Sequence, residues 1–207
     1  MTIANYSDLL AELNLELARD ETSRAPNLIA QVEADLHANR YFRLIDMQTN
    51  ATLTTTGGTN TVAAPSDILQ IDSLFANTSP SEITYMPENQ MASLFYDPSI
   101  VGRPEFYTIV GSVIKFAPTP DAAYDYTIRY KQKIPALTFA NPTNWLLSKN
   151  PNVYLHGCAY FFSPKIKDYQ QMQMYEALYS RAVQALIDSS TGYEYPSAGI
   201  ASYTVDR

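Results

Sequence analysis

Residues 141–162 read NPTNWLLSKNPNVYLHGCAYFF, and they hold the chain's only Trp and only Cys together with one of its two His. Thr143 can cap a short turn through Trp145-Leu-Leu147. Asn150-Pro151 is a cap followed by a first-turn proline, which starts a second helix running to Phe162. On that helix His156 and Cys158 lie about 200° apart round the axis, so they cannot form a dyad. His37 falls in another segment, and the three N or S ligands are scattered, which argues against zinc. Chemistry is therefore not the reading. Trp145, Leu146, Leu147, Pro151 and Tyr154 are expected to be structural anchors, with the indole plugged into a helical core.

Working outward, Ser163-Pro164 repeats the cap-and-proline device and is expected to open the longest helix, ending near Ser189. Ile166, Tyr175, Leu178, Ala182, Ala185 and Leu186 are expected to share its packed face. At the other end of the chain, Leu9, Leu10, Leu13 and Leu17 recur at helical spacing behind Asn5 or Ser7 as N-cap. Pro26 starts a second helix with Ile29, Val32 and Leu36 on one face, stopping near Asn39-Arg40. The expectation is one bundle of helices drawn from residues 1–45 and 136–190.

Between them, residues 46–135 change period. Ala51–Thr56, Ile68–Phe75, Glu82–Met86, Phe106–Val110, Val113–Ala117 and Tyr124–Lys133 read as strands, and Gly111-Ser112 as a two-residue hairpin turn. Pro87–Phe95 reads as a short helix. An antiparallel meander of roughly five to seven strands follows, hence a small sandwich or barrel. The fold class is α+β. Residues 191–207 have no helical period and little charge, so Tyr193, Tyr195, Ile200, Tyr203 and Val205 are read as an extended arm ordered by a neighbouring subunit or partner.

Composition narrows the function. A net charge of −7 argues against a sequence-independent nucleic-acid binder. Met1–Ser7 lacks the basic and apolar regions of a secretion signal, and no apolar run is long enough to span a membrane. A single Cys gives no internal disulfide. Gly57-Gly58 lacks a phosphate-loop pattern, and there is no G-x-S-x-G elbow. No cofactor is implied, and acidic pairs such as Asp121 with Asp125 read as solvated faces. Sixteen Tyr with only 17% charged residues suit a surface that is soluble alone yet buries against a partner. An alternative is carbohydrate binding, with Tyr124, Tyr126 and Tyr130 stacking on sugar rings beside Ile128.

An ordered series of short motifs runs from Val62 to Leu186: Ala64-Pro-Ser-Asp67, Ile83-Thr-Tyr-Met-Pro87, Gly102-Arg-Pro104, Tyr107-Thr-Ile-Val-Gly111 and Phe116-Ala-Pro-Thr-Pro120. It continues with Ile134-Pro-Ala-Leu137, Asn144-Trp-Leu-Leu147, Asn150-Pro151, Tyr154-Leu-His-Gly157 and Glu176-Ala-Leu-Tyr179. In this series the chain resembles the head-to-tail adaptor proteins of tailed bacteriophages, the group that includes tail tubular protein A of short-tailed phages. It departs from them at Tyr169–Met174, where the closing helix usually carries more charge. The resemblance implies a non-enzymatic homo-oligomer, a ring of twelve copies in the virion neck, made in the host cytoplasm. Its partners would be the portal protein above and tail nozzle or tail fibre proteins below, with no membrane. Genomic DNA would pass through the lumen without specific binding. A ring multiplies the negative charge of each copy, and an acidic lumen repels DNA that must slide through it.

Overall fold

The computed structural model describes residues 3–78, 81–97 and 99–194, the last four by their backbone. The chain divides into two compact units, one of Met1–Asp46 with Ile134–Arg207 and one of Met47–Lys133.

The first unit is helical. Asn5 turns the chain into α1 (Tyr6–Glu16) by accepting the Asp8 N–H at 3.0 Å, and α1 buries Tyr6, Leu9 and Leu13. Helix α2 (Ala25–Ala38) starts with proline in its first turn and buries Leu28, Ile29, Val32 and Leu36. After Ile134 the chain forms α4 (Trp145–Lys149) and α5 (Pro151–Phe162). Helix α5 is the centre of the unit and packs against α1, α2, α4 and the closing helix α6 (Tyr169–Glu194). Its mid-point is Gly157, where an added Cβ would lie 2.8 Å from Val32 Cγ2 and 3.1 Å from Tyr179 Cε2. Only a residue without a side chain lets α2 and α6 come this close.

The longest helix differs from its sequence reading at both ends and in its face. Ser163–Ile166 is a 3-10 turn, ended by Lys167 in the left-handed conformation at φ 59°. Helix α6 (Tyr169–Glu194) begins only after this break, its Gln171 N–H held by Asp168 Oδ1 at 3.0 Å. Its buried face is Tyr175, Tyr179, Val183, Leu186 and Ser190, whereas Leu178 and Ala185 are exposed and Ala182 half-buried. The helix also continues past Ser189 and through Gly192, so Tyr193 belongs to it rather than to an extended arm. The 23 helical residues upstream of this one glycine outweigh its roughly 1 kcal/mol cost in a helix.

The second unit carries nine short strands among the described residues, in three sheets with no closed barrel. The first sheet has the order β1 (Gln48–Thr54), β9 (Asp125–Gln132), β3 (Ile68–Ala76), both pairings antiparallel. The second has the order β2 (Thr61–Ala63), β7 (Val113–Ala117), β6 (Phe106–Val110), β4 (Thr84–Tyr85). Gly111, at φ 62°, turns the β6–β7 hairpin. Helix α3 (Glu88–Leu94) follows β4. A two-stranded sheet joins β5 (Val101–Gly102) to β8 (Thr119–Pro120). This is not a meander: the last strand inserts between the first and third, and β4–β6 and β5–β8 pair in parallel. Sequence alternation reports which face of a strand is buried and is silent about its neighbours.

The core of this unit joins Leu53, Leu74, Tyr126, Ile128 and Tyr130 of the first sheet to Tyr107, Ile114 and Phe116 of the second. The Tyr126 ring stacks on Phe116 at 5.1 Å. Tyr126, Ile128 and Tyr130 are thus core side chains, which removes the proposed sugar-stacking row. Burial pushes the Tyr126 hydroxyl up to about 12, and among the described residues that buried hydroxyl has no hydrogen-bond partner. Tyr126→Phe is therefore expected to leave the melting temperature unchanged or raise it, since the lost group is solvated only in the unfolded chain. Tyr126→Ala should cost about 3–5 kcal/mol by urea titration.

Candidate assembly surface

The anchor stretch is held from below by a closed polar cluster. Asn144 caps α4 by accepting the Leu147 N–H at 2.9 Å. Its amide nitrogen donates to the Tyr154 hydroxyl at 2.7 Å and to the Pro135 carbonyl at 2.9 Å. Tyr154 in turn donates to Glu33 Oε1 at 3.0 Å, and the same oxygen accepts the Leu137 N–H at 2.9 Å. One turn along α2, His37 Nε2 accepts the Ile134 N–H at 2.9 Å. Helix α2 thus grips the backbone of residues 134–137, where the chain re-enters the helical unit. Burial pushes the Glu33 carboxyl above the usual carboxylate range, against the two hydrogen bonds that pull it down.

Burial also pushes the Tyr154 and Cys158 protons on more tightly, with buried Glu33 adding to both shifts. Cys158 is fully buried and its thiol is inert by that count. Among the described residues no group of three or more His, Cys, Asp or Glu could hold a metal. The cluster spends its donors on backbone and on itself, so its work is to fix a fold.

The sequence-predicted anchors do not behave alike. Leu146, Leu147 and Tyr154 are fully buried, and Pro151 is half-buried. Trp145 is only half-buried, with its indole N–H enclosed and without a partner among the described residues, so it is not the plug of the core. A helix of five residues can turn only two side chains fully inward, and Leu146 and Leu147 occupy both places. Leu147→Ala is expected to cost about 2–5 kcal/mol, and Trp145→Phe less than about 1.5 kcal/mol, by denaturant unfolding. Tyr195, Ile200, Tyr203 and Val205 lie outside the described residues.

The surface itself is unusually apolar. In the helical unit Leu15, Tyr41, Phe139, Tyr169, Met174 and Leu178 are exposed. A groove of about 420 Å³ runs between α2 and α6, lined by Asp35, Leu36, Asn39, Tyr41, Tyr179 and Val183. Tyr179 spans its floor, donating to Asp35 Oδ2 at 2.8 Å. In the β unit the end of α3, the residues after it and the start of β5 expose Leu94, Tyr96, Ile100 and Val101, with Tyr96 at 81%. Sequence reasoning missed this stretch. The available signal was apolar residues continuing past the helical period of α3 into a segment bounded by Gly102-Arg-Pro104. Such surfaces suit burial against a partner. Among the described residues, no helix is long and apolar enough to cross a membrane.

Two sets of features therefore mark the chain as an α+β structural component: buried polar groups spent on the fold, and exposed aromatics on both units. A family model described as SU10 adaptor protein matches residues 4–201, and the chain belongs to that family. It is a phage adaptor, a structural protein of the virion neck. No curated protein matches the chain.

Proposed function

We propose that twelve copies of this chain form a ring beneath the portal of a short-tailed phage, of the tail tubular protein A type. The ring provides the DNA passage and the surface on which tail nozzle or fibre proteins attach. The observation that carries this reading is the family match across residues 4–201. In it, residues 1–45 and 136–190 act as one helical bundle and residues 46–135 as a β-sandwich domain. Residues 191–207 supply the interface segment, with Tyr193 as its helical root. Exposed Tyr41, Tyr96 and Phe139 support it as contact residues, since each leaves an aromatic ring in water until a partner covers it. The −7 charge per copy supports a lumen that repels DNA rather than holding it.

Sedimentation of the chain with isolated portal rings tests this. Co-sedimentation in a fixed ratio is expected, lost when residues after Glu194 are deleted. A chain that stays at the top of the gradient at micromolar portal concentration contradicts the reading.

A further inference from the structure

Strand β1 is an unguarded sheet edge. All seven of its residues pair with β9 in unbroken register, and among the described residues its other side pairs with nothing. It has no proline, no bulge and no charge; residues 48–64 contain no Asp, Glu, Lys or Arg at all. Every other edge of the two larger sheets is protected in a recognised way. The register of β3 breaks twice, the strand carries Asp72, and its outer side is bonded to Ser81 and Ile83. Strands β2 and β4 have only three and two residues. A flat neutral edge of seven residues is a template for one more strand.

The same chain holds a segment suited to that place. Ile200-Ala-Ser-Tyr-Thr-Val205 is uncharged, rich in β-branched and aromatic residues, and alternates Ala201, Tyr203 and Val205 with Ile200, Ser202 and Thr204. Along β1 the inner row is Ala51 and Leu53, and the outer row is the exposed Asn50, Thr52 and Thr54. A donor strand in register would extend the inner row with Ala201, Tyr203 and Val205 and the outer row with Ile200, Ser202 and Thr204. The five residues between Glu194 and Ile200 span up to about 20 Å when extended, which sets the reach to a neighbouring copy.

We propose that residues 200–205 of a second copy add a strand along β1, so that each subunit donates one strand and accepts one. A donor and an acceptor at different places on identical copies make a head-to-tail contact, which closes into a ring when the rotation allows. The inference rests on the ring reading above and names the contact that builds it.

Variants of the full chain that each carry one added cysteine test it. Asn50→Cys or Thr52→Cys is mixed with Ser202→Cys or Thr204→Cys under mild oxidation. Native Cys158 is fully buried and stays out of the reaction. Paired strands bring same-face Cβ atoms within disulfide reach, and oxidation traps even short-lived encounters. A covalent heterodimer about ten-fold above the Thr84→Cys control on β4 is expected for at least one pair. No heterodimer above that control, or a bond formed only within a chain carrying both cysteines, overturns the proposal. A chain that binds portal yet gives no such bond sinks strand addition alone and leaves the adaptor reading standing.

Discussion

Glu33→Ala is expected to destabilise the protein by about 3–5 kcal/mol, the cost of leaving buried polar partners unpaired. The variant strands the Leu137 N–H and the Tyr154 hydroxyl, which both donate to Glu33 Oε1. It also opens a void behind α5, where Tyr154 is fully buried. Glu33→Gln keeps a carbonyl oxygen for both donors and should cost far less. Its cost should also vary with pH in a defined direction. Burial raises the folded-state pKa of Glu33 above its ordinary 4.5. Between those two values the folded chain holds a proton that the unfolded chain has released. This contribution to stability is complete at low pH and is lost as pH rises through the raised value. The gap in melting temperature between wild type and Glu33→Gln should therefore be wider near about pH 5 than near about pH 7.5. A gap that widens toward neutral pH would mean that the ionised carboxylate is the favoured buried form.

Gly157→Val is expected to abolish the helical core. The first added carbon already falls 2.8 Å from Val32 and 3.1 Å from Tyr179, and a β-branched side chain adds two more carbons against α2 and α6. Overpacking of a tight site costs about 1–3 kcal/mol per insertion, more where the neighbours are themselves buried. Val32 is fully buried, and Tyr179 is pinned by its bond to Asp35, so neither can swing away. Gly157→Ala should show the lower end of that range and Gly157→Val most of the protein's stability, read as loss of the cooperative thermal transition. Val32→Ala combined with Gly157→Ala should recover part of the loss, because the shorter residue vacates the contact. A Gly157→Val chain that melts like wild type would mean the helices are less tightly packed than the geometry states.

Much of the fold was legible in local chemistry. Asn5 marks its boundary by a side-chain cap, Pro151 by its place in the first turn of α5, and Gly111-Ser112 by turn geometry, all decided by neighbouring residues. Asn150 makes no side-chain cap, and its amide donates to the Ala182 carbonyl instead. What was not legible depends on long-range choice. The pairing of β9 with both β1 and β3 brings together residues between 50 and 83 positions apart, and hydrophobic alternation carries no record of partners. Helix α6 has two apolar stripes because it carries so few charges. Leu178 and Ala185 read as core as plausibly as Tyr179 and Val183, and only the packing of α5 selects between them.

The functional surface was less legible still. Trp145 attracts attention as the one indole of the chain, yet the buried work falls to Asn144, Tyr154 and Glu33, three polar residues whose value lies in distances of 2.7–3.0 Å. Glu33 in isolation reads as a solvated helix face, and only the return of residues 134–137 across α2 makes it a buried acceptor. Leu94, Tyr96, Ile100 and Val101 left an apolar trace in the sequence, but their exposure is decided by what packs around them. The unguarded edge of β1 likewise required the sheet order.

The account stands or falls on where the protein sits. A localised reconstruction of the neck in purified virions tests it most directly. The account predicts a ring of this chain between portal and tail, with the two units of each copy fitting the density and a strand from each neighbour beside β1. Virions that carry their tails with no density for this chain at the neck would contradict it.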